Sequence, residues 1–86
     1  MVSYEVLLSK AARKQLAALP TGVHKKLIER ISNLSFLPRP SGYKKLKGYK
    51  NAFRIRVGDY RIIYDIEDKV LRIRVVAISH RKDIYE

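Results

Sequence analysis

The chain has no cysteine, so neither a disulfide nor a thiolate-held metal can form within it. Its two histidines, His24 and His80, lie far apart in sequence, which argues against a structural zinc site. No apolar run approaches the roughly 20 residues needed to span a bilayer. The opening "MVSYEVLLSKAARKQLAALP" scatters charge where a signal peptide would carry an unbroken apolar stretch. These absences lead us to expect a soluble, cytoplasmic protein with no membrane partner and no cofactor. Acidic residues are also scarce: eight Asp and Glu stand against 19 Lys and Arg, a net charge of +11 on 86 residues.

What is present is enough for one folded unit. A hydrophobic content of 47% argues for a packed chain, and the length suits one modest core, so residues 1–86 read as a single domain. The charge calls for a polyanionic partner: RNA, DNA or an acidic protein segment. It is unevenly spread. Between positions 39 and 56 lie seven basic residues (Arg39, Lys44, Lys45, Lys47, Lys50, Arg54, Arg56) and no acidic one. Tyr43, Tyr49 and Phe53 are interleaved with them, a composition suited to a phosphate-binding surface.

Periodicity divides the chain in two. Residues 2–8 alternate loosely and suit a short strand. Ser9 is a good N-cap for the alanine-rich helix "KAARKQLAAL", which Pro20 ends. A second helix starts at Thr21, with Val23, Leu27, Ile31 and Leu34 as its buried stripe and His24 on the solvated side. So short a connection predicts an antiparallel helix hairpin. "FLPRPSGYKKLKGYKN" then reads as a surface loop.

From Ala52 the period drops to two. Gly58-Asp59 is a two-residue hairpin turn of the glycine-first type, which sets Val57 opposite Tyr60, Arg56 opposite Arg61 and Ile55 opposite Ile62. A second turn near Glu67–Lys69, with Glu67-Asp68 or Asp68-Lys69 as its two-residue loop, would place Leu71, Ile73, Val75 and Ala77 on the face of Ile62 and Tyr64. The run "VVAI" suggests a central strand buried on both sides. The expected fold class is α+β: an N-terminal strand, a helix hairpin, and a three-stranded antiparallel meander whose sheet carries the helices on one face.

Arg56 facing Arg61 is a like-charge pair, which destabilises a sheet. Long side chains can splay into water and reduce the repulsion. Yet Arg54 shares that face, and the last strand leads to His80 and Arg81, so an anion held among them explains the convergence better. Such a clamp can also serve catalysis without a metal, by using the 2'-hydroxyl of RNA as nucleophile. That chemistry needs a proton acceptor, cations for the transition-state charge and an acid for the leaving oxygen. His80 has a suitable ordinary pKa. Tyr85 is placed to stack on a base or donate a proton, with plain packing as the alternative.

"FRIRVGDYRIIYDIEDKVLRIRVVAISHRKDIY", with "YEVLLSKAARKQLAALP" and "LKGYKNAFRIRVGDYRIIY", resembles the RelE/ParE family of toxins from prokaryotic type II toxin–antitoxin systems. The resemblance implies a RelE-like toxin domain and, for the RelE branch, metal-free cleavage of messenger RNA in the ribosomal A site. By position, it implies that Arg54 and Arg56 fall where that branch places basic residues, often lysines. Arg61 matches the arginine that steadies the scissile phosphate, and Arg81 the one that supports the transition state or leaving group. Tyr85 matches the tyrosine that stacks on the nucleotide, and His80 lies where some members use histidine.

One departure matters. Arginine, with a pKa above about 12, is a poor base where the family has lysine, so Arg56 reads as electrostatic and His80 as the better proton acceptor. Lys44, Lys45, Lys47 and Lys50 would dock on ribosomal RNA. The implied partners are a cognate acidic antitoxin, the ribosome with its messenger, and operator DNA bound by toxin and antitoxin together. The alternative branch is a ParE-like inhibitor of DNA gyrase with no nuclease site. A third reading is a basic nucleic-acid-binding module without toxicity.

Overall fold

Alternation and turn chemistry build most of the sheet. The computed structural model describes residues 3–49 and 51–80. Within them β1 (Glu5–Leu8) leads into α1 (Lys10–Ala17) and α2 (Thr21–Asn33), followed by β2 (Lys44–Lys45), β3 (Ala52–Val57), β4 (Tyr60–Glu67) and β5 (Arg72–His80). The strands form one sheet in the order β1-β5-β4-β3-β2. β1 runs parallel to β5, and the other neighbours are antiparallel. This is the expected α+β architecture, with α1 against β5 and α2 against β3 on one face. The two-residue β2, in what reads as pure loop, is an addition.

Ser9 caps α1 as expected: its Oγ accepts from the Ala12 N–H at 3.0 Å. Such a cap contributes about 1 kcal/mol. The same hydroxyl donates to the Val76 carbonyl at 2.6 Å. Beyond Leu8 the chain leaves the sheet, and the edge of β5 loses its neighbour. Gln15 on α1 covers that edge, its Oε1 accepting from the Ile78 N–H at 2.7 Å. His24 is not the solvated residue expected. It is half-buried, with Nδ1 3.0 Å from the Leu16 carbonyl, where it caps the C-terminal end of α1.

The core collects Ala12 and Leu16 from α1, and Leu27, Ile31 and Leu34 from α2 and its end. Beneath them lie Phe53, Ile55 and Val57, then Ile62, Tyr64 and Ile66, then Ile73, Val75 and Ile78. Each fully buried Leu or Ile among these is worth about 1.5–3 kcal/mol.

Two expectations about β5 need correction. The second turn is not a two-residue loop. Residues Asp68–Val70 form a 3-10 turn, and Leu71 follows in the left-handed region at φ 52°, so Glu67 pairs with Arg72. In addition, Ile63 pairs with Ala77 while Tyr64 pairs with Val75, which makes Val76 the extra residue of a β-bulge. The bulge flips the alternation: Ile73 and Val75 face the core, then Ile78 does, while Ala77 turns away. "VVAI" is therefore the mark of a phase change. β5 is an inner strand, between β1 and β4, but it is not buried on both sides, since Val76 is exposed.

The loop after α2 is clasped to this frame. The buried Tyr64 hydroxyl donates to the Pro38 carbonyl at 2.8 Å, and burial pushes its pKa up to about 12. Arg39 grips Asp68 with both terminal nitrogens, at 3.3 and 2.9 Å, and lies 5.5 Å from the Phe53 ring centre. Tyr4 donates to the same carboxylate at 2.7 Å. Arg39, counted by composition with the phosphate-binding run, is instead a structural tie. The loop it anchors carries Gly42 to the side of the sheet opposite the helices.

Candidate functional site

The face of the sheet opposite the helices is set by one turn. Gly58 takes φ 61°, open to glycine without strain, and the hairpin it makes pairs Val57 with Tyr60 and Arg56 with Arg61. Because Ile55 and Ile62 occupy the core, Arg54, Arg56 and Arg61 must all project to the other side. β2 then adds a fourth cation, since Lys44 pairs with Arg54. Together with Gly42, these four side chains line a cleft of about 210 Å³.

Arg61 does not splay into water. It is only 7% exposed, the one buried charged residue among those described. Burial, with Arg54 and then Arg56 adding to it, holds its guanidinium below the ordinary arginine value. Arginine still keeps its proton in proteins, so the wall of the cleft carries a desolvated cation. Desolvation strengthens its pull on an anion, because fewer waters screen it.

The other predicted residues are distributed more widely. Lys45 pairs with Phe53 and so points to the opposite side from Lys44. Lys45 and Lys47 line a shallow groove with Leu46, Gly48 and Tyr49, the last strongly exposed. Lys50, Arg81 and Tyr85 lie outside the described residues.

His80 does not join the arginines. It pairs with Tyr60, and the two rings meet edge to face at 5.0 Å, on the side of the sheet that carries the helices. The residue beside Arg61 is Ser79. The cause is the bulge at Val76, which the alternation pattern alone does not reveal. Gly42 is the other residue the sequence reading missed. Its φ of 88° suits glycine, and the "SGY" turn was its only signal. Among the described residues, no three His, Asp or Glu side chains gather closely enough to hold a metal ion.

A small α+β domain with a cation-lined cleft on the sheet face opposite its helices has counterparts among known proteins. The family model described as "ParE toxin of type II toxin-antitoxin system, parDE" matches residues 6–85. The chain belongs to the RelE/ParE family of type II toxin–antitoxin toxins. It is 37% identical to Toxin RelE3 of Methanocaldococcus jannaschii over 86 aligned residues, covering 95% of this chain and 96% of that one. It superposes with a TM-score of 0.83 on the toxin–antitoxin complex RelBE2 of Mycobacterium tuberculosis, at 30% identity and 94% coverage of each chain. Against the archaeal RelE-RelB complex of Pyrococcus horikoshii the TM-score is 0.84, at 28% identity, covering 96% of this chain and 100% of that one.

Proposed function

We propose that this toxin is a ribosome-dependent, metal-independent endoribonuclease that cuts messenger RNA in the ribosomal A site by attack of the 2'-hydroxyl. One observation carries the reading: Lys44, Arg54, Arg56 and Arg61 converge on a cleft large enough for a phosphate. Attack by the 2'-oxygen concentrates negative charge on the phosphorane as the transition state forms. Cations already fixed around that point stabilise it more than the ground state. Arg61, held by burial, is suited to grip two phosphate oxygens with its planar fork. Arg54 and Arg56 act as cations, since a pKa above about 12 makes arginine a poor base. Arg81 and Tyr85 support the leaving group and stack on the nucleotide, as the family resemblance implies. His80 is turned toward Tyr60 on the other side of the sheet. On this reading, therefore, the 2'-hydroxyl gives its proton to water as the new bond to phosphorus forms, and the 5'-oxygen, on leaving, takes a proton from water.

The ribosome supplies what so small a protein lacks. A messenger already held in place removes most of the entropic cost of positioning the strand. The RelE name of the Methanocaldococcus relative supports this branch. The ParE description of the family model supports a second reading, a gyrase inhibitor acting through protein contacts.

A cognate acidic antitoxin neutralises the toxin in the cytoplasm, and the pair binds its own operator DNA. The Mycobacterium and Pyrococcus neighbours, both in complexes with antitoxins, support such a partner, and the charge of +11 favours an acidic one. Mapping RNA 5' ends after induction tests the reading. Cuts in codon register are expected, and Arg56→Ala or Arg61→Ala should each slow them by about a hundred-fold. DNA damage without cuts would favour the gyrase reading. Neither effect would leave a basic binding module.

A further inference from the structure

We propose that the cleft holds two successive phosphates of one RNA strand, the scissile one between Arg56 and Arg61 and its neighbour between Lys44 and Arg54. The inference rests on the endoribonuclease reading and adds a second subsite to it. Its basis is the register. The four cations form two cross-strand pairs, Lys44 with Arg54 and Arg56 with Arg61. Positions 54 and 56 are two residues apart on β3, so the pairs are offset by about 6.7 Å along the strand. That offset is comparable with the step between phosphates in an extended nucleotide chain.

The pairs are also displaced sideways, since Lys44 lies on the β2 side of β3 and Arg61 on the β4 side. The positive charge therefore forms an oblique track across three strands. It is bounded on the row of Arg54 by Ile63 and Ala77, and on the row of Arg61 by Ser79.

Charge and volume agree with two occupants. A phosphodiester carries one negative charge, so a second diester brings a second anion to a track of four cationic side chains. A cleft of 210 Å³ has room for about seven waters at the liquid volume of each, more than one phosphate group fills. All four cations line the same cleft, and after burial it is Arg54, then Arg56, that lowers the pKa of the Arg61 guanidinium. Lys44 thus belongs with the catalytic strand rather than with ribosome docking, and it is separated by the plane of the sheet from Lys45.

The test is single-turnover cleavage on programmed ribosomes, using messengers with a neutral methylphosphonate immediately 5' or 3' of the mapped cut. One of the two replacements should slow the unaltered toxin by about ten-fold or more. Lys44→Ala/Arg54→Ala should cost a similar factor on the natural messenger and less than about two-fold further on the modified one, because the lost contact is the same. Arg61→Ala should slow cleavage of both messengers equally. Equal losses from Lys44→Ala/Arg54→Ala on both would overturn the second subsite while leaving the nuclease intact. No cleavage of the natural messenger would bring down the nuclease reading and this one with it. Lys44→Gln, at an exposed position, repeats the comparison with less risk to the fold, and thermal melts of each variant exclude unfolding.

Discussion

Arg61 is where function and stability pull apart. Folding removes it from water and sets Arg56 directly opposite, both of which disfavour its charge. The pKa of a base lowered on folding is a penalty that persists wherever the group stays charged, so no pH change near neutrality relieves it. Salt does, by screening Arg54 and Arg56. Arg61→Leu should therefore make the melting temperature depend less on salt, even though cleavage is lost. An unchanged salt dependence would show that Arg54 and Arg56 do not act on Arg61 in this way. Tyr64 gives the opposite case. Its hydroxyl, buried against the Pro38 carbonyl, has a pKa raised from 10.0 to about 12. An acid held in its neutral form contributes stability that is fully present below pH 10 and is lost as pH rises toward 12. Tyr64→Phe should cost about 1 kcal/mol at pH 7 in urea melts. It should also flatten the alkaline loss relative to the natural chain, and an unchanged alkaline limb would rule this out.

At the scale of elements, the second turn carries a removable strain. Leu71 sits at φ 52° with its side chain partly exposed, although a left-handed residue other than glycine costs about 1–2 kcal/mol. Leu71→Gly should gain roughly 0.5 kcal/mol after the extra entropy of glycine is deducted, measured by the urea midpoint. A loss would mean that the leucine side chain pins the turn. The first hairpin was legible from the sequence because two signals agree there: Gly58-Asp59 fixes the loop, and the apolar positions of both strands then coincide. That agreement placed Arg54, Arg56 and Arg61 correctly on one face. The second hairpin offered no such check. Several turns suit "IEDKVL", and "VVAI" fits a bulge as well as it fits a buried strand. The side taken by His80 depends on that bulge, so its placement was lost with it. The clasp of Tyr4, Arg39 and Asp68 joins residues 64 and 29 positions apart, a distance over which local pattern carries no information.

Across the whole molecule, both helices pack on one side of the sheet and the cleft lies on the other, and the loop lysines divide between the two. Lys44 faces the cleft and Lys45 does not; Lys45 and Lys47 share a separate groove with the exposed Tyr49. On the proposed reading the second group docks on ribosomal RNA, while the cleft handles the messenger. The two jobs then separate by experiment. Neutralising Lys45 and Lys47 with glutamine should weaken ribosome binding and reduce the slope of log affinity against log salt by roughly 0.7–0.9 for each phosphate contact removed. The cleavage rate at saturating ribosome should stay the same, because Arg56 and Arg61 are untouched. Arg61→Ala should do the reverse, stopping cleavage while changing the salt slope by no more than one contact. If Lys45 and Lys47 leave the slope unchanged, the docking surface lies elsewhere, and the cation pairs of the cleft would have to carry both the messenger and the ribosome.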